Sequence, residues 1–281
     1  MVDTSMLSFL APCFAASLIL AGIHAYLGVH VVERGVIFVD LSLAQIAALG
    51  ATIALLMPFS NGDPHAPVVY WISLAFTFMG AFVFSTIRSK RARIPHEAII
   101  GICYAVASAA AILAMSKATS ESEHLKDMLV GNILAVSWPE VGKTAVLYGA
   151  IGLFHYIFRK QFLAISMDHA KAEASGLNVK FWDFLFYASF GFVVTSSVSI
   201  AGVLLVFSYL IVPSVAAMLY ADTIGKRLAI GWSMGTIVSA LGVFLSLKLD
   251  LPTGATIVCT FGLVLMIMAA VRPLIQRHAV S

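Results

Sequence analysis

With 281 residues, 60% of them hydrophobic and 11% charged, and a mean hydropathy of +0.97, the chain is too apolar for a soluble domain, which carries about 25% charged residues. A bilayer crossing takes about 20 apolar residues, so the length admits about eight to nine spans and no separate soluble domain. The net charge of +3 is no sign of nucleic-acid binding, because the basic residues sit in short connectors, and Cys13, Cys103 and Cys259 stand in apolar runs without metal or redox spacing.

In chain order, apolar stretches run over 7–31, 36–57, 69–87, 97–115, 139–158, 181–199, 200–220, 228–247 and 253–271. Met1 to Ser8 lack a basic region, so the first stretch is expected to be a retained span rather than a cleaved signal. Ser196-Ser197-Val198-Ser199 with Gly202 predicts a break after the sixth stretch; such breaks are tolerated where the freed backbone is buried or lines a cavity. Gly231 and Gly235 form a small-xxx-small pair that lets two helices approach closely. The expected fold is an all-α polytopic transmembrane bundle, a single transmembrane domain over 1–281.

The distribution of Lys and Arg sets the sidedness. Connectors at 32–35, 88–96, 159–180 and 221–227, with the C-terminal tail, hold Arg34, Arg88, Lys90, Arg91, Arg93, Arg159, Lys160, Lys171, Lys180, Lys226, Arg227, Arg272 and Arg277. The other side keeps Lys117, Lys126, Lys143 and Lys248, so the N-terminus is expected outside and the C-terminus in the cytosol. The outer connectors include Asn61-Gly62-Asp63-Pro64-His65 and Ser120-Glu121-Ser122-Glu123-His124, ordinary residues for solvated loops.

Polar side chains inside spans are costly and therefore candidates for function. His24 and His30 lie in the first stretch, and Asp40, Ser42 and Gln45 in the second. Asp40 and Gln45 are five residues apart, about 140° around a helix, so they do not share one tight face, though they could still border one cavity. Carboxylate and imidazole ligate divalent transition metals, which makes Asp40, His24 and Gln45 the candidate contacts for a cation in transit; helix-to-helix hydrogen bonding is the plainer reading. Glu97 is expected in the first turn of a helix, where acidic residues complement the backbone dipole, and His155 is expected to pack.

Asp168-His169-Ala170-Lys171-Ala172-Glu173-Ala174-Ser175-Gly176 is short, polar and rich in helix formers, with a glycine where a C-cap falls. Between two spans on the basic side, at about 160–180, it reads as a handle for a cytosolic partner. Asp168, Lys171, Ala172, Glu173, Ala174 and Gly176 are its candidate coupling residues. Gly142-Lys143-Thr144 imitates the end of a phosphate-binding loop, but Ser137 stands where the leading glycine belongs. No catalytic motif is present, so the chain reads as a non-enzyme.

Three segments together resemble the permease subunits of ABC importers for manganese, zinc or iron. Gly202-Val203-Leu204-Leu205-Val206 through Pro213 is similar to the family's GxLLV…P segment; Asp250-Leu251-Pro252-Thr253-Gly254-Ala255-Thr256-Ile257-Val258 to its DxPTGATIV signature; and Gly131-Asn132-Ile133-Leu134-Ala135-Val136-Ser137 to its G(D/N)ILAVS segment. The handle matches the region where these permeases receive the ATPase. In the second span the family commonly carries Asp and His four apart; aligning on Gly50 puts Gln45 at the His position and Asp40 one place early. His24 is then the candidate replacement imidazole.

The resemblance implies a permease fold like that of vitamin-B12 and metal importers, in the cell's inner membrane. It implies two cytosolic ATPase subunits, an extracytoplasmic metal-binding protein and a second permease copy. A divalent metal is cargo, no cofactor is bound, and Gly202, Pro213, Asp250, Pro252 and Gly254 are structural motif positions. The competing reading is a secondary transporter coupled to protons or sodium through Asp40 and the span histidines; a membrane scaffold is the third.

Overall fold

The computed structural model describes residues 4–60, 63, 66–87, 95–116 and 133–278. The helices, in order, are α1 (Thr4–Glu33), α2 (Val39–Leu55), α3 (Pro67–Ile87), α4 (His96–Met115), α5 (Trp138–Ile157), α6 (Arg159–Met167), α7 (His169–Ala174), α8 (Val179–Tyr220), α9 (Ile224–Leu249) and α10 (Thr253–His278), with no strand among the described residues. Arg88, Lys90, Arg91, Arg93, Glu121, Glu123 and His124, and Gly131 and Asn132 of the third motif, lie outside the described residues.

By length and apolarity six helices can each cross a membrane, or seven if the bent pair α5 and α6 is one span. The expected count of eight to nine is therefore not reproduced on that measure. α2 is apolar but only 17 residues long, and α8 joins two of the expected stretches into one element of 42 residues. α8 is interrupted at Gly202, whose φ of 74° and ψ of 161° are open only to glycine. The serines before it sit within helix and donate to carbonyls one turn back, Ser196 to Phe192 at 2.9 Å and Ser197 to Val193 at 2.6 Å.

The chain divides into two compact units, each drawn from separated stretches. One comprises Met1–Val32, Val130–Gly152 and Ile200–Ser281. In it the Gly231/Gly235 pair of α9 packs on α1: a side chain at Gly235 would meet Ala21 at 2.8 Å, and one at Gly231 would meet Ala25 at 3.3 Å. Trp232 closes the same seam by donating its ring N–H to the Gly22 carbonyl at 2.9 Å. The other side of α1 meets α8, where a side chain on Gly28 would fall 2.0 Å from the Leu210 carbonyl oxygen.

The second unit comprises Glu33–Leu129 and Leu153–Ser199. Its centre is α2, which packs chiefly on α3 and α4 and is buried around most of its circumference, as at Asp40, Leu43, Gln45 and Gly50. A side chain at Gly50 would come within 2.9 Å of the Ser73 Cα, so backbone meets backbone there. Ser73 Oγ then donates to the Ala47 carbonyl at 2.7 Å. α3 meets α8 through Thr77, whose hydroxyl is 3.0 Å from that of Thr195, and through Gly191, which leaves room for the Thr77 methyl.

Candidate functional site

The entry to α2 is built from the connector after α1. Gly35 takes a φ of 64°, a left-handed turn that reverses the chain and favours glycine. The first backbone N–H groups of a helix have no intrahelical acceptor. Glu97 of α4 supplies one, its Oε1 accepting from the Phe38 N–H at 3.0 Å. Glu97 thus sits in the first turn of its own helix, as expected, and also caps a second one.

Two residues further on, in the first turn of α2, Asp40 is 1% exposed and both its carboxylate oxygens lack a hydrogen-bond partner among the described residues. Ser42 is fully buried in the same state. Leaving one buried polar group unsatisfied costs about 1–3 kcal/mol, and more for a charged one. Native interiors seldom keep such a group without a use for it. Gln45, one turn along, is also buried. Ser42 and Gln45 stand about 200° and 140° around the helix from Asp40, so the three do not share a face; the Asp40 carboxylate is by itself an oxygen donor of the kind hard divalent ions such as manganese accept.

His24 belongs to the first unit, whereas Asp40 and Gln45 belong to the second. It is fully buried in α1, with Nδ1 donating to the Leu20 carbonyl at 2.8 Å, and its ring lies edge-on to Tyr148 at 6.3 Å. A carbonyl oxygen only accepts, so that bond places a proton on Nδ1. His30, 1% exposed, has its ring 4.8 Å from that of Tyr26. Among the described residues no three His, Cys, Asp or Glu side chains form a metal-sized cluster.

The handle has a defined construction. α7 is capped at its start by Asp168, whose Oδ1 accepts from the Lys171 N–H at 3.0 Å. It closes in a Schellman turn: Gly176 has a φ of 85° and donates to the Glu173 carbonyl at 3.0 Å, and Leu177 donates to that of Ala172 at 3.3 Å. Ala172 and Ala174 do not share a surface. Ala172 is 3% exposed and packs with Ile165 and Val179, so it anchors the handle instead of facing a partner. Two residues advance a helix by about 200°, which puts Ala174 on the outside with Asp168, Lys171, Glu173 and Gly176.

Beneath the handle lies a buried ionic cluster not foreseen from the sequence, where Arg34 is only one basic connector residue. Arg34 pairs with Asp183 of α8, the two side chains 0% and 1% exposed. Its Nε donates to Ser166 Oγ of α6 at 2.8 Å, and its guanidinium carbon stands 3.9 Å above the Phe186 ring. His155 packs alongside, stacked on Phe162 at 4.3 Å and bonded through Nε2 to Ser189 Oγ at 2.8 Å. Asp183, an acidic residue within the apolar stretch 181–199, is the sequence signal by which the cluster could have been found.

The motif residues make corners. Asp250 ends α9 in the left-handed conformation (φ 52°, ψ 47°), and Leu251 N–H returns to the Ser246 carbonyl at 3.0 Å. Ser246 Oγ donates to the Leu251 carbonyl at 2.7 Å and lies 2.6 Å from Thr253 Oγ1. Pro252 stops the old helix and α10 starts at Thr253, with Gly254 buried in its first turn. Pro213 lies inside α8, where it withholds an N–H from the Tyr209 carbonyl.

Residues 6–272 match the ABC 3 transport family. The chain belongs to that family. It is 26% identical over 251 residues to the manganese transport system membrane protein MntC of Listeria monocytogenes, covering 89% of this chain and 86% of that one. It is 25% identical over 251 residues to the chelated iron transport system membrane protein YfeC of Yersinia pestis, covering 89% and 82%. Among solved structures, PsaBC from Streptococcus pneumoniae in complex with Fab superposes with a TM-score of 0.76 at 25% identity, covering 92% of this chain and 90% of that one. This ABC 3 chain is therefore a multi-pass transmembrane permease subunit, as the motifs implied, and family membership disfavours a self-contained secondary transporter.

Proposed function

We propose that this ABC 3 permease carries a divalent transition metal ion inward across the inner membrane, and that Asp40 touches the ion in transit. The relatives named for manganese and iron support the cargo class, and the Asp40 carboxylate is an oxygen donor such ions accept. The observation that carries the reading is the buried, unpartnered carboxylate of Asp40 on the most enclosed helix of its unit. A passing cation supplies the missing counter-charge; His24 is a second candidate contact.

The permease hydrolyses nothing itself. Cytosolic ATPase subunits grip the outward side of the handle, Asp168, Lys171, Glu173, Ala174 and Gly176, and an extracytoplasmic metal-binding protein delivers the ion. A second permease copy completes the pathway. Counted with α2, and with α8 taken as two crossings, one on each side of its Gly202 break and each about 30 Å long, the chain has nine spans. An odd number of crossings puts the two termini on opposite sides, and the Lys and Arg distribution assigns the N-terminus to the outside and the C-terminus to the cytosol.

The test is elemental analysis of cells lacking this gene and complemented with wild type or Asp40→Asn. The expected result is a fall of at least tenfold in one accumulated metal, restored by wild type alone. Restoration by both removes Asp40 from the pathway. No change in any metal on deletion overturns the import reading.

A further inference from the structure

We infer that Arg34 is the positioning residue that transmits movement of the handle to the entry of α2, and so to Asp40. The inference rests on the proposed roles of the handle and of Asp40 and adds the connection between them. One guanidinium touches Ser166 on α6 and Asp183 and Phe186 on α8, all within the second unit. Ser166 stands two residues before Asp168, the first cap of the handle. Asp183 stands one turn after Val179, which packs on Ala172 of the handle. Trp182, next to Asp183, lies against the rings of Phe158 and Phe162. The handle, α6 and the start of α8 are thus packed together, and Arg34 is fastened to that body at both of its ends.

On the other side Arg34 is followed directly by Gly35, and Asp40 is six residues on. The intervening chain is short and internally bonded, with Val39 N–H on the Val36 carbonyl at 3.1 Å. A pull on Arg34 therefore moves the start of α2 and cannot be absorbed in a slack loop, whereas Glu97 holds that start from α4. A compact ammonium lacks the planar fork that reaches hydroxyl and carboxylate together. Arg34→Lys keeps the charge and removes that double attachment. Ser166→Ala cuts one attachment without touching the ion pair.

The experiment uses the full chain with its ATPase and binding protein in liposomes, with manganese as probe, comparing wild type, Arg34→Lys, Ser166→Ala, Ala174→Arg and Asp40→Asn. Read together are yield of assembled complex, thermal midpoint, ATP turnover and manganese taken up per ATP. For Arg34→Lys, assembly and ATP turnover are expected to stay within about twofold of wild type while uptake per ATP falls at least tenfold; Ser166→Ala gives a smaller fall in the same ratio. A purely structural role lowers yield and midpoint and leaves the ratio of the surviving complex unchanged, which overturns the inference. So does a wild-type ratio in both variants while Ala174→Arg and Asp40→Asn are defective. Should Ala174→Arg and Asp40→Asn both behave as wild type, the functional reading beneath the inference fails instead.

Discussion

Arg34 and Asp40 are both buried, both charged residues by type, and six residues apart, yet the protein treats them oppositely. Arg34 has an acid, a hydroxyl and an aromatic face around it. Asp40 has no hydrogen-bond partner among the described residues. Burying a charge is tolerated only with such compensation; Arg34 finds it within the fold, whereas for Asp40 the proposed function has the passing cation supply it. Burial alone does not tell the two sites apart, since both side chains are hidden; their partners do.

The largest expected effect separates the two sites by stability. Arg34→Met strands the Asp183 carboxylate and should lose about 3–5 kcal/mol, whereas Arg34→Met combined with Asp183→Leu should recover most of it. Asp40→Asn should leave the thermal midpoint in detergent unchanged or raised, because a neutral amide is easier to bury. If Asp40→Asn destabilises as much as Arg34→Met, Asp40 has a hidden structural partner and the contrast collapses.

A second pair sharpens the division between anchor and grip. Ala172→Arg forces a long cation among Ile165 and Val179 and should lower stability by about 1–3 kcal/mol in a thermal melt. Ala174→Arg should fold normally and lose uptake coupled to ATP hydrolysis. Equal behaviour of the two variants would mean that the handle turns a different side outward in the working complex.

Smaller effects probe how firmly α2 is held. Gly50→Ala meets Ser73 and Phe76 at 2.9 Å and should destabilise by about 1–3 kcal/mol, read from the same melts. Asp168→Ala removes the cap on α7 and should cost about 1 kcal/mol, visible as faster amide exchange at Lys171.

Much of this molecule was legible in its sequence because lipid imposes a strong, local rule on composition. Apolar stretches gave the helices, Gly202 and its serines gave the break in α8, and Gly176 gave the close of the handle. Local chemistry gave those features: a span must be apolar along its whole length, and a left-handed turn wants glycine. The number of spans was less readable, since α2 is short and α8 long, and length alone no longer counts crossings.

What sequence could not supply were pairings between distant residues. Arg34 meets Asp183 across 149 positions, Glu97 caps a helix 59 positions away, and Ala172 turns inward while its near neighbour Ala174 turns out. The motifs identified the family, and the buried carboxylate of Asp40 was a candidate from its residue type alone. Only the tertiary structure decided that Arg34 has an ion-pair partner and that the Asp40 carboxylate has no hydrogen-bond partner among the described residues, because hydrogen bonding of a buried charge depends on which atoms the fold brings within about 3 Å of it.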